Sequence, residues 1–414
     1  MPRRPQSARA KSFLLPITLL GAAIVVVIAA AEVEEATRRI TLAADGGPAD
    51  GNSSVPSVSH DGRFVAFQSA ATNLVDGDTN DVYDVFVYDR TTGATTRVSV
   101  DSAGAEADGA SWQPSISADG RYVAFTSAAT NLVDGDTNAV SDVFVHDRET
   151  GTTERVSVDH EGSETDRASG GSAISADGMI VVFTCLDGAL DAAHEEGGLF
   201  VRDRAAGTTQ WIAEGARPSV SADGRSIAFV SEGGIFVHDR ESGETERVSV
   251  DPNGVPANAE SDWPVIDAGG NLVAFHSLAT NLAPGSHAGW DVYVHERATR
   301  TTTLVSVDDA GTPANDFSFF PSMSADGTIV VFTSMADNLA PEGDTGSWGL
   351  FVHDRAAGTT RRLPVETGID DDTYDHAVSG DGRLVAFASM SRDPADPEAL
   401  PHDVWGVFVH GPIR

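Results

Sequence analysis

Asp76-Gly77-Asp78-Thr79-Asn80, followed by Asp84, is a dense group of oxygen donors, and the chain writes it twice. The second copy is Asp134-Gly135-Asp136-Thr137-Asn138 with Asp142. Donors at positions 1, 3, 5 and 9 of a tight loop suit calcium, a hard cation that takes six to eight oxygens. Position 6 is Asp81 or Ala139, where an EF-hand loop has glycine. Position 12 is Val87 or Val145, where that loop has a bidentate glutamate. The same side chains also suit a turn in which Asp and Asn bond nearby backbone amides. Two readings therefore stand. One is a calcium loop ligated by Asp76, Asp78, Asn80 and Asp84, repeated with Asp134, Asp136, Asn138 and Asp142. The other is a structural turn.

These loops belong to a larger repeat. Pro114–Asp159 reads PSISADGRYVAFTS, an acidic stretch, then DVFVHDRETGTTERVSVD. Its Asp-Gly pair recurs at Asp61-Gly62, Asp119-Gly120, Asp177-Gly178, Asp223-Gly224, Asp326-Gly327 and Asp381-Gly382, with a degenerate copy at Gly269-Gly270. A repeat of this period is one supersecondary unit that cannot bury its faces alone. Each unit holds four β-rich runs, in the second unit 115–117, 121–127, 142–147 and 153–158. The second and third runs are apolar on both faces, so each sheet is sandwiched between neighbours. Small four-stranded antiparallel sheets stacked radially meet that need, which predicts an all-β, seven-bladed β-propeller. The run ATRRITLA (36–43) aligns with a fourth strand, and the chain ends on VWGVFVH (404–410), which aligns with a third. The N-terminal strand is therefore expected to complete the last blade and close the ring. Residues 32–414 form one domain.

Loop lengths sort the two faces of the disc. Turns between strands one and two, and between three and four, are tight and share a face. The loops between strands two and three and between blades are long and acidic and share the other, where ligands are expected. The fourth blade breaks this pattern: only Ser231-Glu232-Gly233-Gly234 joins its middle strands, and a short linker precedes it. A notch in the acidic rim, flanked by Glu214 and Glu232, is expected there as an access point.

The unit PSISADGRYVAFTS…DVFVHDR resembles the TolB-like propeller repeat, marked by a Ser-Pro-Asp-Gly turn before an Ile/Val-Ala-Phe strand. Ala118, Ala176, Ala222 and Ala325, and His60 in the first copy, stand where that family usually has proline. The resemblance covers residues 36–410 and implies a fold, not a chemistry. The TolB protein carries an α/β domain before its propeller, whereas this chain is expected to enter the propeller almost directly from its N-terminal apolar segment, and seven units depart from the six often found in such rings.

Aromatic residues stand just before the first β-run of several units: Trp112, Trp263, Phe319-Phe320 and Tyr374. With Asp370, Asp371, Asp372 and Asp375 they are the candidate wall of a pocket at the channel mouth, able to stack on a sugar or peptide. Packing between blades is the plainer role for them. His146, His238, His295, His353 and His410 occupy one slot per blade, too dispersed to share a metal. Cys185, the only cysteine, sits in the apolar run VVFTC, so no disulfide framework exists within the chain. Gly-x-Ser-x-Gly, His-Glu-x-x-His and phosphate-loop motifs are absent.

A net charge of −35 repels phosphate backbones and argues against nucleic acid as a partner. Arg3, Arg4, Arg9 and Lys11 precede the apolar run Phe13–Ala31, which reads as a cleaved signal peptide or as a membrane anchor. Either way the remainder is expected outside the cytoplasm, touching the membrane only through residues 1–31. The expected function is that of an exported non-catalytic propeller, binding a protein or extracellular polymer through its acidic loop face. The alternative is a hydrolase or lyase using carboxylates, with or without calcium, at the channel mouth.

Overall fold

The computed structural model describes residues 36–413 apart from 187–189, 191–193, 195–196, 341–347, 365–374 and 391–403. Before residue 36 it describes only the antiparallel pairing of strand Phe13–Leu19 with Ala22–Ile28. No helix among the described residues is long and apolar enough to cross a membrane.

Seven four-stranded antiparallel sheets make the blades. In the second blade the strands run outward from the channel as Ser111–Ile116, Tyr122–Ser127, Asp142–Asp147 and Thr152–Arg155. Every residue of Asp142–Asp147 is buried, as a strand covered on both faces requires. A cross-strand aromatic pair joins the two middle strands of every blade, from Phe67–Phe86 to Phe387–Phe408, with centroids 5.7–6.1 Å apart. Seven apolar cores fill the seams, each built from two neighbouring blades, such as Ala66 and Val87 against Val123 and Phe125. A blade is thus too thin to bury its own side chains, and the ring is the folding unit.

Two devices close that ring. Ala36–Arg39 pairs with Trp405–Gly411 and supplies the outer strand of the last blade, with Ile40 N–H continuing the ladder to the Val407 carbonyl. On the tight-turn face a circuit of backbone hydrogen bonds runs from blade to blade. The N–H groups of His60, Ala118, Ala176, Ala222, Ala268 and Ala325 each donate to the next turn. Asp381 N–H returns to the His60 carbonyl, with all seven distances at 2.8–3.1 Å. Proline at these positions has no N–H to give. Alanine at Ala118, Ala176, Ala222 and Ala325 therefore provides a bond that proline there could not make.

The Asp-Gly turns are locally self-sufficient. In the second blade Asp119 accepts from the Ser117 hydroxyl and the Arg121 N–H, and Ser117 Oγ accepts the Tyr122 N–H. Gly120 has φ of 74°, and a Cβ there would overlap Phe64 of the preceding blade. Both facts demand glycine.

The inner strand differs from its expected bounds. It starts at Ser111 rather than residue 115, because Pro114 sits within it at a bulge between Trp112 and Ser115. Proline is tolerated on an edge strand that faces the channel, where no ladder bond is needed. Trp112, Trp263, Phe319 and Phe320, expected just before the first strand, are thus part of the inner strands.

Candidate functional site

At each of these bulges the backbone turns left-handed. Val55, Gln113, Arg217, Trp263 and Phe320 have φ of 51–57°, and Gly171 holds the same place with φ of 60°. A β-branched or aromatic residue in this region is strained by about 1–3 kcal/mol. The strain recurs at one level of the channel, the end nearest the loop face. It sets five side chains, one in each of the first, second, fourth, fifth and sixth blades, at that end of the channel.

In three consecutive blades these side chains touch. The Arg217 guanidinium lies 4.5 Å over the Trp263 ring, which meets Phe320 edge-on at 5.0 Å. Trp263 stays 37% exposed, so a ligand can reach its ring. Arg217 also pairs with Asp262 at 3.3 Å. Behind this arc lies an aromatic wall. His276 is enclosed by Trp290, Phe319 and Phe320, and its Nδ1 accepts the Phe320 N–H at 3.1 Å. Burial, aided by Arg217, pushes the His276 pKa down to about 3. The imidazole is therefore neutral and acts as an acceptor that fixes the kinked backbone of Phe320. Gln68 does the same for Gln113 at 3.0 Å one blade pair away.

The seventh blade contributes Asp375 and His376. Burial raises the Asp375 pKa, partly offset by the hydrogen bond from the Val55 backbone. His376 Nδ1 is 2.9 Å from the Ser322 hydroxyl, and burial pushes its pKa down to about 3. The mouth is asymmetric: cationic and aromatic over blades four to six, small or polar at Val55, Gln113 and Gly171.

The other expected site residues fall as follows. Asp371 and Tyr374, with Asp370 and Asp372, lie outside the described residues. Trp112 precedes the left-handed position rather than occupying it, pairs in register with Thr126, and is separated from the Arg217–Trp263–Phe320 arc by the third blade. Glu214 and Glu232 are exposed at two connections of two residues each: Glu214-Gly215 between blades and Glu232-Gly233 between strands. The arc begins at Arg217, immediately after this thinned part of the loop layer.

The repeated acidic loops carry their own cation. Asp78, Asp84 and Glu106 bring carboxylate oxygens within 4.8 Å of one another. Arg97 sits among them, its Nη1 3.6 Å from Asp78 and from Asp84 and paired with Glu106. In the second blade Arg155 Nη1 is 3.4 Å from Asp136, 3.6 Å from Asp142 and 2.8 Å from Glu164. Burial, then the neighbouring Asp84, pushes Asp78 up to about 6, and burial does the same to Asp136. Asn80 and Asn138 donate their amides to Asp84 and Asp142. Asp76 and Asp134 are exposed. A divalent ion would have to displace the arginine.

The fifth blade exchanges this set as a group. Leu304 takes the register position of Arg97, and Pro313 takes the bridging position of Glu106. Ser286 follows Gly285 as Asp78 follows Gly77. Asp291 is paired instead with His287 at 2.8 Å. Where the arginine is replaced, two of its carboxylates are replaced with it and the third, Asp291, takes a histidine partner, which marks the set as a latch between the loop and the outer strand. The histidine slot is also structural: His146, His295 and His353 each lie 2.8–2.9 Å from a threonine of the outer strand.

Sequence reasoning named Trp263 and Phe320 but missed Arg217, His276, Arg97 and Glu106. An available signal for Arg217 was the following Pro218, which aligns it with Trp263-Pro264 and Phe320-Pro321. For Arg97 the signal was an arginine before Val-Ser-Val, shared by Arg155 and Arg247, which the first two of these three blades combine with the paired aspartates.

No family model matches the chain, and no curated protein matches it. Among solved structures it is similar to an oligogalacturonate lyase in complex with manganese, with a TM-score of 0.55, 15% identity and 98% of each chain covered. It is also similar to the β-propeller domain of the Trilobed protease from Pyrococcus furiosus, described as having an open velcro topology. That match has a TM-score of 0.54 and 14% identity over 87% of this chain and 94% of the other. TolB from Acinetobacter baumannii aligns with a TM-score of 0.43 and 14% identity over 78% of this chain and 65% of that one. At such identities the likeness extends to the fold alone.

Proposed function

We propose that this chain is a non-catalytic, exported propeller that binds a protein or an extracellular polymer at the loop face, with the channel mouth as its anchor point. The observation that carries this reading is the Arg217–Trp263–Phe320 arc. It joins a partly exposed indole, a stacked guanidinium and a backbone held in strained conformation at the rim of a rigid scaffold. An aromatic face beside a cation suits a sugar ring or an aromatic or acidic side chain. The acidic rim around it steers basic partners over a range set by the ionic strength.

A binding assay tests this. Residues 32–414 are immobilised and presented with envelope extracts and a panel of polysaccharides at low and high salt. Trp263→Ala should weaken capture of whatever the wild type retains by at least ten-fold, about 1.4 kcal/mol. Capture that is indifferent to Trp263→Ala would remove the mouth from the reading. A second reading, carboxylate catalysis, is favoured by one feature: Asp375, with its raised pKa, stands beside His376 at the same mouth. Turnover of a glycoside, ester or uronate substrate that disappears in Asp375→Asn would establish that alternative and displace the first.

A further inference from the structure

Five of the connections between blades share a device. Residues 42–48, 100–106, 158–164, 250–256 and 307–313 each form a finger pinched by an isolated bridge, such as Val100 to Glu106. The finger's aspartate ties it internally, as Asp101 accepts the N–H groups of Ala103 and Ala105.

In three of these seams the finger's valine carbonyl accepts a threonine hydroxyl from the outer strand of the next blade, and in two of them a finger side chain also accepts that threonine's N–H. The Val100 carbonyl accepts from Thr153 Oγ1 at 2.5 Å, and Ser102 Oγ accepts the Thr153 N–H at 3.0 Å. The Val250 carbonyl accepts from Thr302 Oγ1 at 2.7 Å. The Val307 carbonyl accepts from Thr360 Oγ1, and Asp309 accepts the Thr360 N–H at 2.7 Å.

Between the third and fourth blades the connection is only Glu214-Gly215, too short to form a finger. Thr245 is the counterpart of Thr153, Thr302 and Thr360. It keeps the bond to its histidine, His238 Nδ1 at 2.9 Å, but has no finger to receive its N–H and hydroxyl. The three counterparts are buried and Thr245 is exposed. His146, His295 and His353 are buried, whereas His238 is only half-buried. This seam also has the smallest core, six buried residues where the other seams have ten to twelve. A cleft of about 740 Å³ lies here, lined among others by Asp159, His160, Trp211, His238, Arg240 and Gly243. One oxygen of the Asp159 carboxylate accepts the N–H groups of Glu161 and Ser163, and His160, His238 and Arg240 bring cationic or donor-bearing side chains to the same cleft.

We propose that this seam is a docking site for an acidic loop of a partner protein, one that copies the chain's own finger. Such a loop presents a backbone carbonyl and, two residues later, a Ser or Asp side chain. The carbonyl accepts from Thr245 Oγ1, the side chain from the Thr245 N–H, and the loop's apolar flank covers Trp211 and Ile212. The argument is one of internal templating: the molecule makes the hydroxyl–carbonyl bond at three other seams and adds the bond to the threonine N–H at two of them, and the receiving threonine has no finger over it at this one. The site is on the outer flank, away from the channel mouth, and does not depend on the function proposed for the mouth.

The probe is a fluorescein-labelled peptide of Val98–Asp108, VSVDSAGAEAD, titrated with the full chain and followed by polarisation. Saturable binding is expected. Thr245→Val, which keeps shape and N–H but removes the hydroxyl, should weaken it at least ten-fold. A graft of the same finger sequence in place of Glu214-Gly215 should abolish peptide binding and raise the melting temperature, which also shows that the variant folds. Trp263→Ala should leave peptide binding unchanged. Absence of saturable binding overturns the proposal. So does binding that survives the graft, or binding that Trp263→Ala removes, which would place the peptide at the mouth.

Discussion

His276 shows how one side chain couples the mouth to pH. Free histidine gains its proton near pH 6.5, but burial pushes His276 and His376 down to about 3 and His353 to about 4. Between pH 6.5 and those values the unfolded chain binds protons that the folded chain refuses. Stability from these histidines is therefore full above 6.5 and is lost as the pH falls through that window. Asp78 and Asp136, raised from 3.8 to about 6, act in the opposite sense: they favour the fold in acid, and that contribution disappears as the pH rises through 6. His276→Gln isolates one group, since Gln68 already accepts the equivalent N–H at the mouth. Urea titrations in pH steps should show the slope of stability against pH, between about 6.5 and 3, flattened by up to ~1.4 kcal/mol per unit. An unchanged slope would mean that His276 already exchanges its proton in the folded state.

The latch around Arg97 belongs to the element scale, because it ties the acidic loop, the outer strand and the connection to the next blade. Its partners are nearly buried, with side-chain exposures of 3% for Asp78 and 0% for Asp84. Removing the arginine leaves three carboxylates facing one another, so Arg97→Ala should cost about 3–5 kcal/mol, read from the denaturant midpoint. The combined change Asp78→Ser, Asn80→His, Arg97→Leu and Glu106→Pro installs the fifth blade's set, including the histidine four residues before the remaining aspartate, and should recover most of that loss. Calcium separates the two readings of the loop. The wild type is expected to melt at one temperature with calcium or chelator, whereas Arg97→Ala, with its carboxylates freed, should gain a calcium-dependent rise. A calcium-dependent rise in the wild type would favour a metal loop over a latch.

At the scale of the whole molecule the ring is held by its seams and by the seven-bond circuit at the tight turns. Ala118, Ala176, Ala222 and Ala325 test that circuit cleanly. Each follows a serine whose carbonyl accepts the turn glycine's N–H, as Ser175 does from Gly178, and the second position of such a turn accepts proline without strain. Proline at all four sites removes four donors while keeping four turns. Each lost bond should cost about 1 kcal/mol, partly offset by the stiffer unfolded chain. A quadruple variant as stable as the wild type in urea would show that the circuit adds nothing. The same view explains why the third seam matters: it is where the loop layer, the finger and the core are all thinnest.

What the residues settle alone is what short segments encode. Asp-Gly turns close through bonds within five residues, two-sided apolar strands require neighbours on both faces, and a spare fourth strand at one end matches a missing one at the other. Blade number, strand order, the closure of the ring and the sorting of loops to two faces were legible on those grounds. The first strand's start was misread because Pro114 looks like a break until the channel is known to face it. Only the tertiary structure decided which side chains meet across seams. Arg217, Trp263 and Phe320 are 46 and 57 residues apart. They touch because left-handed bulges in neighbouring inner strands turn them toward one another. Thr245 differs from Thr153 only in what the neighbouring blade fails to place over it. Such contacts are set by the twist of packed sheets and by side-chain direction, which no local pattern of residue types carries.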